Sequence, residues 1–252
     1  MDERLSALRT SVIRLRYLAG SLGESDLTRA AYPSEWTVAD VLSHLGSGAV
    51  IMRRRLEDGL TGTPTPEDFA PSVWETWNAK SPAEQAADAL AADAAVLQRI
   101  EAVSAAERAE LSFPLGPMTL DFDGFVGLRM NEHTLHTWDI EVATDPAATI
   151  PDELTEAVID NLDFVARFAA KPTGDTQTVT VRTTAPVRGY SIDSSPEKVS
   201  FARADADQDA DLTMPAEAFV RLVYGRLDPD HTPPVDGARG TLAVLRRTFP
   251  GF

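Results

Sequence analysis

The sequence has no cysteine. That excludes disulfides, thiolate metal sites and cysteine nucleophiles together, and it suits a reducing cytoplasm. Any thiol chemistry must bring its sulfur in on a small molecule. Long apolar runs are missing as well: no stretch approaches the ~20 residues that a membrane-spanning helix needs. The opening MDERLSALRTSVIRLR carries charges throughout and has no uninterrupted apolar segment, so it does not read as a secretory signal. Positive charge is scarce, with 23 Lys+Arg against 39 Asp+Glu and a formal net charge of −16. A chain this acidic is repelled by phosphate backbones and anionic lipid, so neither nucleic acid nor a membrane surface is an expected partner. Residues 1–60 carry 8 acidic and 8 basic side chains, which puts the whole negative excess in residues 61–252. A Walker motif, a Rossmann glycine fingerprint, His-Glu-x-x-His and Gly-x-Ser-x-Gly are also absent. These absences leave a cytoplasmic protein acting on small molecules, with a monomer as the simplest state.

What is present is ordinary globular material: 252 residues, 43% of them hydrophobic, enough for a sizeable core. The first half reads as helical. Leu5, Leu8, Val12, Leu15, Leu18 and Leu22 recur at helical spacing. Thr37 and Asp40 form a capping-box pattern that opens a helix to about Leu60. Residues 61–72 lack periodicity and read as a loop. Ser81-Pro82-Ala83-Glu84 opens a third long helix to about Val103, and a fourth begins near Asp121 and reaches Ala143. Four such helices predict a bundle. After Asp145-Pro146 the pattern changes. One helix is expected over 152–169, then strands over 178–183, 187–192 and 199–202. An acidic turn over 204–211 precedes a helix opened by Pro215 and a last helix over about 241–247. The expected fold is therefore α+β in two domains, 1–148 and 149–252.

The chain has four histidines: His44, His133, His136 and His231. In a helix, Glu132 and His136 are an i, i+4 pair on one face. His44 follows Val41 and Leu42 on the second long helix, near its core-facing side. Facing helices would bring His44, Glu132 and His136 together as two imidazoles and one carboxylate, a set that suits catalytic zinc with open positions. Other readings stay open on spacing alone. Glu132 and His136 read equally as a solvated pair, and His133 with His136 is an i, i+3 pair that could chelate instead. His133 lies about 100° around the helix from Glu132, so both cannot serve one ion equally well. His231, between Asp230 and two prolines, reads as a loop residue. Asp40 and Asp139 fit capping or surface positions better than partners to a ligand, and Trp36 and Trp138 read as core.

The stretch Glu35-Trp36-Thr37-Val38-Ala39-Asp40-Val41-Leu42-Ser43-His44-Leu45 resembles the helix-opening signature of DinB-like metal-binding bundles. More narrowly it resembles the mycothiol-dependent maleylpyruvate isomerase family. Arg129-x-x-Glu132-x-x-x-His136-x-Trp138-Asp139 is similar to that family's second metal-ligand helix. Leu222-Val223-Tyr224-Gly225-Arg226-Leu227, Val235-Asp236-Gly237 and Phe249-Pro250-Gly251 resemble its C-terminal domain. The resemblance implies a DinB-like four-helix bundle followed by a smaller α+β, sterol-carrier-like domain. It implies metal ligands at His44, Glu132 and His136, with no ligand role for His133. It also implies an active-site arginine, best matched by Arg226; a residue complementing the end of a helix dipole is the alternative there.

The implied cofactors are Zn2+ or another divalent metal, with mycothiol as thiol cosubstrate. A free thiol is mostly protonated at neutral pH, and metal coordination makes it a thiolate. The implied reaction is addition of that thiolate to an electrophilic double bond, ending in isomerisation or S-transfer on a small acid such as maleylpyruvate. Arg226 would pair with the acid's carboxylate. Two alternatives stand beside this: a metal-dependent hydrolase on the same bundle, and a non-catalytic small-molecule-binding protein.

Overall fold

The computed structural model describes residues 3–32, 35–116 and 118–251. Its backbone contacts separate into two units, Met1–Ala148 and Thr149–Phe252. The first unit runs α1 (Glu3–Ala19), α2 (Glu24–Leu27), α3 (Val38–Thr61), α4 (Phe69–Asn78), α5 (Pro82–Glu101) and α6 (Ala105–Glu110). The hairpin β1 (Ser112–Leu115) and β2 (Met118–Asp121) then leads into α7 (Phe122–Glu141). Helix α1 packs on α7 and α3 on α5, with α1–α5 and α3–α7 contacts closing the group.

The helix starts follow from local chemistry. Thr37 accepts from Asp40 N–H while Asp40 takes the Thr37 N–H, and Ser81 with Glu84 repeats the pattern. Asp121 accepts from Gly124 N–H at 2.7 Å to open α7. The stripe Leu5, Leu8, Val12 and Leu15 is buried as its spacing requires. Helix α7 differs, being buried on nearly every side with polar residues among the apolar ones.

Three sequence expectations need correction here. Residues 69–78 are helix, not part of a loop running to 72. Pro71 is only the third helical residue, where its missing N–H has no intrahelical partner to lose. A second departure is the short hairpin β1–β2, whose strands bury one large side chain, Phe113, stacked at 4.0 Å on Phe125. Third, the expected helix over 152–169 is two, α8 (Asp152–Ile159) and α9 (Leu162–Ala169). At the break, Tyr190 donates its hydroxyl to the freed Ile159 carbonyl at 3.1 Å, and Asp160 accepts from Arg188 and Arg203.

The rest of the second unit is β3 (Gln177–Thr184), β4 (Gly189–Ser194), β5 (Val199–Ala204), β6 (Leu212–Pro215), α10 (Ala216–Val223), β7 (Asp236–Gly237) and α11 (Arg239–Thr248). The sheet order is β5-β4-β3-β6-β7, antiparallel except for β3 with β6. Strand β6 continues directly from the acidic turn: Asp211 accepts from Thr180 N–H at 2.8 Å and sets the β3–β6 edge. No helix among the described residues is long and apolar enough to cross a membrane.

Gly46 shows how tightly the first unit is packed. A Cβ there would lie 2.2 Å from Trp77 Cη2 and 2.9 Å from Ala89 Cα. Trp77 is buried by lying across the bare backbone of α3. Gly46→Ala is therefore expected to destabilise the protein by about 1–3 kcal/mol through overpacking, read as a lowered urea midpoint.

Candidate metal centre

Helix α3 carries His44 and helix α7 carries Glu132 and His136 one turn apart. The α3–α7 packing brings all three together. His44 Nε2 lies 3.2 Å from Glu132 Oε2, and His136 Nε2 lies 3.6 Å from the same oxygen. The imidazole centroids are 4.5 Å apart. One donor atom from each residue falls within 4.8 Å of the other two, and this is the group of three candidate ligands found among the described residues. Zinc bonds of about 2.0–2.2 Å arranged tetrahedrally place neighbouring donors about 3.3–3.6 Å apart. The two separations to Glu132 Oε2 and the donor types fit such an ion.

The surroundings prepare these atoms. Asp139, fully buried, accepts from His136 Nδ1 at 2.8 Å. A carboxylate only accepts, so Nδ1 carries a proton for Asp139, and Nε2 is the nitrogen turned toward Glu132. Desolvation works to raise the Glu132 carboxyl. The His136 and His44 imidazoles beside it outweigh that and hold the group well below the usual carboxylate range, so it remains an anion. His44 and Glu132 keep about two-fifths of their side-chain surface open, whereas His136 is nearly closed off. The site therefore opens on the His44–Glu132 side.

Trp36 belongs to this site and not to the core, contrary to the sequence expectation. It is 36% exposed, stacks over His136 with centroids 6.1 Å apart and planes at 18°, and lies 5.4 Å from His44. Backbone bonds flank it: Ala31 N–H donates to the Trp36 carbonyl at 2.8 Å, and Val38 N–H to the Arg29 carbonyl at 2.9 Å. Trp138 is core, with its Nε1 donating to the Ala148 carbonyl. Asp40 serves the cap of α3, while Asp139 orients a candidate ligand, which reverses the expectation for Asp139.

His133 points away from the trio into a closed polar network. Its Nε2 lies 3.0 Å from Asp93 Oδ2 and its Nδ1 2.8 Å from Ser11 Oγ. Burial lowers the His133 pKa and keeps the ring neutral, so Nε2 donates to Asp93 and Nδ1 accepts from the Ser11 hydroxyl. Arg129 donates to Asp93 and, at 2.9 Å, to the Leu45 carbonyl. Burial works to raise the Asp93 carboxyl, and the Arg129 and His133 partners more than reverse it, leaving its pKa lowered. Sequence reasoning missed Asp93, although the signal was present. It stands in the stripe Ala89, Asp93, Val96, Ile100, a lone charge on the buried face of α5.

Arg226 lies in the second unit. Gly225, at φ +72°, ends α10 in a Schellman motif: its N–H donates to Leu222 O and Arg226 N–H to Arg221 O. The Arg226 guanidinium donates to the Tyr224 carbonyl at 3.0 Å, a role at a helix end. His231 lies beside Asp228, its Nδ1 2.9 Å from the carboxylate, and it is not part of the group of three candidate ligands found among the described residues.

Residues 8–141 match the family model described as the mycothiol maleylpyruvate isomerase N-terminal domain. Two crystal structures share the fold across nearly the whole chain. One is of a mycothiol-dependent maleylpyruvate isomerase, 15% identical, with a TM-score of 0.66 over 92% of this chain and 94% of that one. The other is of a histidine-to-alanine mutant of a mycothiol-dependent maleylpyruvate isomerase, 14% identical, with a TM-score of 0.67 over 93% and 92%. No curated protein matches the sequence.

Removing one member of the buried network should be severe. Asp93→Ala leaves Arg129 as an uncompensated buried charge and is expected to cost about 3–5 kcal/mol in a denaturant titration. Because the Asp93 carboxyl has a lowered pKa in the fold, its contribution is present above the ordinary aspartate range and lost as pH falls through the folded value. Asp93→Asn should therefore flatten the acid limb of the stability curve.

Proposed function

The chain belongs to the mycothiol maleylpyruvate isomerase family, and on that footing we propose a metal-dependent enzyme that uses a low-molecular-weight thiol, mycothiol, to isomerise or S-conjugate a small electrophilic acid such as maleylpyruvate. The observation that carries this reading is the convergence of His44 Nε2, His136 Nε2 and Glu132 Oε2 at the open end of a buried helix pair. These three residues would hold the ion. A bound divalent metal such as zinc supplies the charge that keeps a coordinated thiol deprotonated at neutral pH.

The chain's own residues do the rest. Asp139 takes a hydrogen bond from His136 Nδ1, which makes Nε2 the nitrogen that would hold an ion. Glu132 contributes a negative charge that its two histidine neighbours hold ionised. Trp36 covers one side of the imidazoles and limits water there. With no cysteine in the chain, the nucleophilic sulfur is the cosubstrate's own. Two imidazoles and a carboxylate accept several divalent metals, of which zinc fits the geometry well. The assignment of Arg226 to the substrate carboxylate rests on the sequence resemblance. The packing of α1, α3, α5 and α7 supports a DinB-like four-helix bundle over 1–148, and the five-stranded sheet with its helices supports a sterol-carrier-like domain over 149–252.

Plasma mass spectrometry of untagged protein is expected to find about one metal per chain. Thiol-dependent loss of maleylpyruvate should follow metal content. His44→Ala, Glu132→Ala and His136→Ala should each reduce bound metal to trace, while folded His133→Ala retains it. Metal kept by Glu132→Ala would overturn the ligand set, and metal-dependent hydrolysis with no thiol requirement would make the protein a hydrolase. Asp139→Ala is expected to weaken metal binding by about 10–100-fold in a chelator competition, with all three ligands still in place.

A further inference from the structure

The first unit has a cavity beside the candidate metal centre that the proposed chemistry has not yet used. Asp40, His44 and Ser47 stand at i, i+4 and i+7 on α3, and Trp74 and Asn78 at i, i+4 on α4. With Trp36 and Glu35 they line a space of about 510 Å³, within the usual range for a small-molecule site. His44 is shared between this cavity and the candidate ligand trio. Of the four tryptophans, Trp77 and Trp138 are buried, while Trp36 and Trp74 are 36% and 50% exposed and both line this cavity. One exposed indole on a surface needs no explanation. Two from different elements, lining one cavity next to a candidate reactive centre, form a ligand surface.

The polar lining narrows the ligand. Glu35 and Asp40 are carboxylates and accept hydrogen bonds; Asp40 Oδ2 already takes the Thr37 N–H and O–H, which leaves Oδ1. Ser47 and Asn78 add groups that donate and accept. Among the described residues no lysine or arginine lines the cavity. A lining rich in acceptors suits a ligand rich in hydroxyl donors. The indole faces carry the negative side of the ring quadrupole, which attracts the polarised C–H groups of a saturated ring.

The proposed function requires two ligands, an electrophilic acid and a sugar-linked thiol, and the acceptor-rich lining suits the hydroxyl groups of the second. We propose that the cavity lined by Trp36 and Trp74 holds the polyhydroxylated part of the thiol cosubstrate, with the sulfur directed to the His44 end. This assignment rests on the thiol-dependent reading of the same site.

The test is calorimetric titration of the metal-loaded, full-length protein with three probes. Mycothiol carries both sugar and sulfur, S-methylated mycothiol keeps the sugars and blocks the sulfur, and N-acetylcysteine keeps the sulfur without the sugars. Trp74→Ala, a change at an exposed position, is expected to weaken mycothiol and S-methylated mycothiol by about tenfold each and to leave N-acetylcysteine unchanged. Trp74→Phe should recover most of the loss. Equal weakening of all three probes, or of none, overturns the assignment. Thiol-dependent turnover that persists while Trp74→Ala is indifferent to the sugars removes the cavity assignment alone. Sugar-dependent binding without thiol-dependent turnover removes the enzyme reading alone.

Discussion

Arg129 is a buried guanidinium whose Nη2 hydrogen bonds reach two other helices. It bonds Asp93 of α5 and the Leu45 carbonyl of α3, the residue after His44. Arg129 is itself three residues before Glu132 on α7. One interaction thus ties together the helices that supply both halves of the candidate metal centre. A slip of either helix would break a charge-assisted hydrogen bond in a place water cannot reach, and the cost of that fixes the register. His133 adds a second tie through Asp93 and Ser11, extending the network to α1.

Helix α7 thereby divides its polar residues by face. Arg129 and His133 satisfy each other's partners in the closed interior. Glu132 and His136 turn toward the open side, backed by Asp139. The same imidazole chemistry gives a neutral structural ring at position 133 and a ligand-ready one at position 136. What differs is the partner of each nitrogen. Both nitrogens of His133 bond inside the closed network, while Asp139 engages His136 Nδ1 and Nε2 stands 3.6 Å from Glu132. The cavity on the His44 side carries Glu35 and Asp40 and, among the described residues, no lysine or arginine.

Much of the helical framework was legible because its signals are local. The capping boxes at Thr37 and Ser81 and the Asp121 cap are each satisfied within one turn. The candidate trio was legible in its residue types, and His133 as a non-ligand through resemblance to the family pattern. Elements whose support comes from elsewhere were not. The Asp160 break depends on Tyr190, Arg188 and Arg203 from the sheet. Helix α4 reads as loop until Val73 and Trp77 are seen packed on α3 across the bare surface of Gly46. Trp36 looks like core from its apolar side chain, and only its neighbours reveal that it covers the imidazoles.

The sequence by itself determined the absence of protein sulfur, the acidic balance, the starts of the long helices and the chemical types at the candidate centre, since all of these follow from composition or from contacts within a turn or two. The tertiary structure decided which histidine faces Glu132, which aspartate orients a ligand and which tryptophans line a cavity. Those are questions of direction, and direction is settled by partners 36 to 122 residues away, such as Asp93 for Arg129 and Ser11 for His133. Helical periodicity places a side chain on a face, and the neighbouring helices determine what that face meets.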